Sequence, residues 1–321
     1  MRDGNVTPAA EVAVELHADD YALSAHNSAR ILSLLEQGVL DGISIIPNMH
    51  DRERCMEELA RAWDGMEHKP HIAVHLNIAD GRSLSGIADP LLTHEGSDGA
   101  RYFRTSWMKL LFASHLPRRR EQIRRELTGE FVLQIRGVYD RIAAFAADAD
   151  GNCPFGLDSH THTHMIPVVF DAMLDAVRET GLTGDLRYVR VSREPAGVFG
   201  CILYTVSPVN LVKNVLLNLL SGRAEKRLDR LGISHGLLWG LIMSGRMDAE
   251  RTGRVLPGML RRIREKKMPL EILFHPGIVL PEEAAAEEYT PSDLAAVISA
   301  DRDTEYESVC AMRGMLSGGL R

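Results

Sequence analysis

The chain lacks the features that would announce several common protein classes. Its 321 residues include only four cysteines, Cys55, Cys153, Cys201 and Cys310, and no Cys-x-x-Cys pair. That spacing gives no disulfide framework, and a reduced, cytoplasmic protein is expected. No Gly-x-Gly-x-x-Gly follows the first apolar run and no Gly-Lys-Ser/Thr loop occurs, so nucleotide folds lose ground. An excess of positive charge is missing too. The net charge is −7, and nucleic-acid binding is not expected. Arg118, Arg119, Arg120, Arg124 and Arg125 read as the solvated face of a helix. Met1 to Glu11 is polar and has no apolar signal core, so export is not expected.

A clean membrane span is also absent. The most apolar stretch, Ala196–Leu220, carries a single charge, Lys213, but Pro208, Asn210, Asn214 and Asn218 interrupt it. A spanning helix needs roughly 20 predominantly apolar residues. A buried helix from Pro208 to Leu220 is therefore expected. A helix lying on a membrane surface, or in a partner interface such as a homodimer, is the alternative.

With 45% apolar and 25% charged residues, the composition is that of a globular protein. Short strand-like runs alternate with helical patterns. Strands are expected at 12–17, 42–46, 71–78, 155–159, 187–191, 234–240 and 270–274. Between them, Ser24 caps a helix carrying Ile31, Leu34 and Leu35 that Gly38 stops. Further helices are expected at 51–63, 117–147, 167–180, across most of 196–231, at 247–267 with a break at Pro257, and at 291–316. An insertion at about 79–116 contains Tyr102, Phe103 and Trp107, aromatic rings that could stack on a ligand or pack in the loop's own core. Such alternation predicts a parallel sheet, either open and doubly wound or closed into a barrel.

The richest segment is Asp158-Ser159-His160-Thr161-His162-Thr163-His164. Three histidines at every second position would share one side of an extended strand, which suits a divalent metal or proton transfer. Other polar residues also gather at strand ends: Asp19 and Asp20, Asn48, His75, Asp158, Arg190 and Arg193, and His275. In a parallel barrel these ends share one rim, where active sites are built. Asp20, His75 and His160 come from three strand ends and can surround one ion. Of the two adjacent aspartates, one can bind the cation while the other stays free as a base. His162, His164, Asn48, Arg190 and Asp158 are expected to contact the substrate or support the ligands. One divalent ion is expected; zinc suits a mixed imidazole and carboxylate set, and magnesium, nickel or cobalt also fit.

Five motifs, in order, resemble the YdjC-like carbohydrate deacetylases, a family that includes chitooligosaccharide deacetylases and a hopanoid-associated branch. The family's opening Asn-Ala-Asp-Asp-Phe-Gly is matched by His17-Ala18-Asp19-Asp20-Tyr21-Ala22. Its Gly-x-His-Leu-x-Leu-x-x-Gly-Arg-Pro-Leu is matched by Ala73 to Leu84. Asp-Ser-His-x-His-x-His-Met-x-Pro stands intact from Asp158 to Pro167. Arg190 to Pro195 and Phe274-His275-Pro276-Gly277 match the last two. In the opening motif the departures are His17 for Asn, Tyr21 for Phe and Ala22 for Gly.

The resemblance implies a single-domain, distorted TIM-type (β/α) barrel with insertions at about 79–116 and 196–231. It implies a divalent metal and removal of an N-acetyl group from an amino sugar or oligosaccharide. Carried over by position, Asp20, His75 and His160 resemble metal ligands, Asp19 the general base and His275 the general acid. Alternatives stay open: a lipid-linked amino sugar as substrate, another metallohydrolase such as a phosphoesterase, or a non-catalytic sugar-binding protein.

Overall fold

The computed structural model describes residues 13–318. Val12 and the polar segment 1–11 lie outside the described residues. The described residues form nine strands: β1 (Val14–Tyr21), β2 (Gly42–Ile45), β3 (His71–Leu76), β4 (Thr93–Glu95), β5 (Arg101–Phe103), β6 (Phe155–Ser159), β7 (Leu186–Val189), β8 (Leu237–Trp239) and β9 (Leu270–Phe274). Seven form one parallel sheet in the order β7-β6-β3-β2-β1-β9-β8, while β4 and β5 pair as a small antiparallel hairpin in the insertion.

The sheet curls until its edges meet. A parallel bridge joins Tyr188 to Ser234, and the Val189 amide donates to the Ser234 carbonyl at 3.0 Å. The result is a partial barrel with an irregular seam between β7 and β8. This resolves the choice between open and curled sheet that alternation alone left undecided. The fold is α/β and single-domain.

Outside the barrel pack α1 (Ala25–Glu36), α2 (Arg52–Trp63), α4 (Pro117–Ala146), α5 (Pro167–Thr180), α7 (Ala249–Lys266) and α10 (Asp301–Ser317). Period-two alternation sorts the strands. Leu16, Ala18, Ile43, Ile45, Ile72, Val74 and Leu157 are buried in the main apolar core. The other parity turns polar residues inward: Glu15, His17 and Asp19 on β1, Ser44 on β2, Asp158 on β6 and Glu271 on β9, with Arg190 just past β7. Barrel interiors are usually filled by branched apolar side chains. Here the interior holds charge. Two glycines make room for it: a Cβ at Gly42 would collide with Glu15 and His17, and one at Gly156 with the Tyr188 ring.

Helix α3 (Trp107–Ala113) follows the hairpin, and α6 (Pro208–Leu231) follows a 3-10 stretch at Ala196–Thr205. Glu194 fastens α6 to the end of β8. Its carboxylate accepts from the Gly240, Leu241 and Ile242 amides at 2.7–3.1 Å and from Asn214 Nδ2 at 3.0 Å. Burial outweighs these bonds and pushes its pKa up to about 7.

Three expectations are corrected. Helix α7 runs through Pro257, whose ring faces solvent, because Val255, Leu256, Met259 and Ile263 bury the opposite face. The tail is not one helix: α8 (Pro281–Ala284) and α9 (Pro291–Val297) precede α10. Helix α6 is not buried. It seats Asn214, Leu217, Ser221, Ala224 and Leu228 inward, but Val209, Val212, Val215 and Leu219 stand 59–72% exposed. Among the described residues no helix is long and apolar enough to cross a membrane.

Candidate active site

Strand β1 ends in a distortion that creates the site. Asp20 adopts φ 69°, and the pairing register with β2 shifts between Ala18 and Tyr21. A left-handed aspartate at a strand end is sparsely populated and stores strain. It breaks the alternation that would send Asp19 and Asp20 to opposite sides, so both carboxylates reach one mouth. Ala22, at the family's glycine position, is also left-handed, with φ 68°.

Asp20, His75 and His160 converge as the sequence predicts. Their ligand atoms all lie within 4.8 Å of one another. Both imidazoles press on one oxygen, Asp20 Oδ1: His160 Nδ1 at 2.9 Å and His75 Nε2 at 3.5 Å. Arg302 of α10 holds the other oxygen at 2.8 Å. The far nitrogen of His75 bonds Asp158 Oδ1 at 2.6 Å, which fixes its orientation.

Burial would lower the pKa of both histidines, but nearby carboxylates outweigh it. Asp19 and Asp158 push His75 up to about 10, and Asp20 with Asp80 pushes His160 up to about 9. A field that holds protons on two adjacent imidazoles is also a field that favours a divalent cation. The donor set, one carboxylate and two imidazoles, therefore fits such an ion.

Asp19 belongs to a different arrangement. Arg190 grips it with two nitrogens, each at 2.7 Å, and also contacts Asp158 at 2.8 Å and Glu271. Burial would raise the Asp19 pKa, but Arg190, with His75 and His275, holds it well below the usual carboxylate range. Ser44 donates to Asp158 at 2.5 Å and bonds His17 at 2.8 Å. His17, which replaces the family's Asn, thus packs into the barrel floor between Ser44 and Glu15. His275 follows β9, near enough to help lower the Asp19 pKa. Its amide donates to Glu305 at 2.6 Å, and its side chain is 24% exposed.

The histidine run does not form a strand. Residues His160–Met165 are a 3-10 turn in which Thr161 and His162 have φ 52° and 57°. The period-two expectation of three histidines on one side is therefore wrong, and His160 alone reaches Asp20. The physical reason is Ser159, whose hydroxyl accepts from the His164 amide at 2.8 Å and folds the chain back. His164 is buried between the Ser159 hydroxyl and the Arg190 carbonyl, and burial lowers its pKa to about 4. His162 is buried with an unpartnered Nδ1, and burial together with Lys213 lowers its pKa.

Other expected contacts act on protein rather than facing the open mouth. Arg190 and Asp158 brace Asp19 and His75. Asn48 donates to the Asp80 and Arg82 carbonyls at 3.2 and 3.0 Å. Arg193 lies farther out, paired with Glu225. The arginines at 119, 120 and 124 pair with Asp89, Asp171 and Asp175 instead of facing solvent freely. Sequence reading missed Ser44, Glu271, Arg302 and Glu305. Ser44 and Glu271 carry a signal, a polar residue at an inward parity; Arg302 and Glu305 sit beyond the last motif and carry none.

Beside the mouth runs a groove of about 1140 Å³, lined by Trp107, Met108, Thr161, Val212, Lys213 and Asp293 among others. Thr161 places it next to His160. Of the insertion's aromatics, Trp107 faces this groove, Phe103 is buried in the core, and Tyr102 bonds Asp98 at 3.1 Å.

The fold has a solved counterpart. A proposed cellobiose-phosphate cleavage protein from Enterococcus faecalis V583 superposes with a TM-score of 0.53 at 16% identity, covering 95% of this chain and 96% of that one. At that identity the likeness concerns the fold alone. No curated protein matches the sequence significantly. The model of the YdjC-like protein family matches residues 13–313, nearly the whole chain, and the protein belongs to that family.

Proposed function

We propose that the protein is a metal-dependent hydrolase that removes an N-acetyl group from an amino sugar. The observation that carries this reading is the pairing of two carboxylates with different duties. Asp20 meets two imidazoles, whereas adjacent Asp19 is held in its ionised form and immobilised by Arg190, with His75 Nε2 3.7 Å away. Family membership and the five motifs support it.

Asp20, His75 and His160 would hold the ion, which supplies Lewis acidity toward the acyl oxygen and toward water. Asp19 accepts a proton from the attacking water as its oxygen bonds the acyl carbon. His275, 24% exposed, protonates the amine as the C–N bond breaks. Acetate and a free amino sugar result. Arg190 keeps Asp19 ionised and aimed, at the expense of its basicity. After the products leave, the proton on Asp19 is lost to solvent, and His275 is reprotonated from solvent for the next turnover.

A second reading concerns the substrate. The exposed apolar stripe of α6 flanks the groove, which favours an amino sugar carried on a lipid over a fully soluble one. A phosphoesterase is less well supported, because Arg190 and Arg302, the arginines that touch Asp19 and Asp20, are already engaged by those carboxylates. A panel of N-acetylated sugars, free and lipid-linked, tests all three. Acetate release abolished by a chelator is expected. Phosphate release, or chelator-resistant turnover, would remove the proposal. Full metal content in both His75→Ala and His160→Ala would reject the ligand set.

A further inference from the structure

Asp80 stands apart from every other carboxylate near the site. It is 2% exposed, yet neither of its oxygens has a hydrogen-bond partner. Buried polar groups are nearly always paired, so an orphan carboxylate calls for a reason. Loose placement is not the reason. The Asp80 amide donates to Asn77 Oδ1 at 3.2 Å, and its carbonyl accepts from Asn77 and Asn48 at 3.0 and 3.2 Å. The backbone is clamped on both sides, and the carboxylate is presented bare. Its Oδ2 lies 3.6 Å from His160 Nε2, just beyond hydrogen-bond length.

His75 offers the comparison. Each histidine turns one nitrogen to Asp20 Oδ1 and the other to a separate carboxylate. For His75 that carboxylate is Asp158, at 2.6 Å. For His160 it is Asp80. Asp158 is saturated by Ser44, Arg190 and His75. Asp80 has His160 as its one near neighbour of opposite character. Metal-binding histidines almost always donate their second N–H to such a group, which fixes the tautomer and ring orientation and raises ligand basicity.

We propose that Asp80 is the positioning carboxylate of His160. It accepts the Nε2–H and thereby commits Nδ1 to a divalent ion shared with Asp20 and His75. This rests on the reading of those three residues as a cation site. Asp80 itself is not a ligand in this assignment.

The test titrates Zn²⁺ into the full metal-free chain by calorimetry, for wild type, Asp80→Asn and Asp80→Ala, with the Co²⁺ absorption spectrum and the metal-free melting temperature measured alongside. Asp80→Ala is expected to weaken Zn²⁺ binding about 10–100-fold. Asp80→Asn, which keeps a neutral acceptor in the same place, recovers part of that loss. Metal-free melting temperatures should change little in both variants, since the carboxylate removed makes no hydrogen bond and only a 3.6 Å ion pair with His160. The Co²⁺ spectrum of Asp80→Asn should keep the wild-type band pattern, because the ligands are unchanged. Wild-type Zn²⁺ affinity in both variants would overturn the assignment. So would a fall in the metal-free melting temperature that matches the loss of binding, or a Co²⁺ spectrum showing a lost ligand. A wild-type chain that binds neither ion would instead remove the cation site itself, and this assignment with it.

Discussion

The barrel floor and the groove beside it solve opposite problems. On the floor nearly every charge is answered. Arg190 alone meets Asp19, Asp158 and Glu271. At the groove, Lys213 has no ion pair among the described residues, and Val209 and Val212 are 72% and 70% exposed. A saturated network holds groups in one geometry, as bond-breaking chemistry needs. An unsaturated surface is free to meet a ligand. The difference locates reaction on the floor and substrate choice at the groove.

The sharpest way to break that comparison is to remove charge from each region. Arg190→Met leaves three buried carboxylates without their cation and is expected to cost about 3–5 kcal/mol of stability. Lys213→Met should stay within about 0.5 kcal/mol. Equal losses in urea unfolding would erase the distinction between the regions.

The next test uses pH. His164 titrates near 4 in the fold, against 6.5 for the free side chain, because burial disfavours the imidazolium. Its folded pKa is depressed, so the unfolded chain binds the proton more readily. The stability it confers is full above pH 6.5, falls as pH drops toward 4, and is then exhausted. The window is worth about 3 kcal/mol at most. His164→Asn should flatten the acid side of a stability–pH curve by an amount of that order. An unchanged slope between pH 6.5 and 4 would show that His164 is not buried in its neutral form.

Asp19→Asn sharpens the chemical half. The amide preserves shape but cannot take a proton. Turnover should fall roughly 10²-fold or more, while metal content, set by Asp20, His75 and His160, stays at the wild-type level. Undiminished acetate release from the metal-loaded variant would take Asp19 out of the mechanism.

The smallest expected effect on stability belongs to Val212→Asp. Because Val212 points into the groove and not into a core, its melting temperature should barely move. A lipid-linked substrate should be turned over more slowly while soluble sugars are unaffected. Equal loss on both classes, with a lowered melting temperature, would make α6 a packing element after all.

Much of this was legible in the residues. Alternating strands and helices required a parallel sheet, because a right-handed crossover through a helix is how consecutive strands of one sense are joined. Strand-end polar residues pointed to one rim, and Asp20, His75 and His160 meet there. The same local logic failed at His162 and His164, where the Ser159 hydroxyl folds the chain back before the alternation can continue. It failed at α6, where apolar content promised burial but neighbouring elements cover only one face.

What the sequence determined alone are properties set by neighbours along the chain: strand parity, caps, the glycines that admit bulky partners, and the order of the motifs. What only the tertiary structure decided depends on residues hundreds of positions apart. Arg190 reaches Asp19 across 171 residues, and Arg302 reaches Asp20 across 282. The reason is electrostatic. A buried charge must find its counterion wherever the fold brings one, and nothing in local periodicity records where that will be.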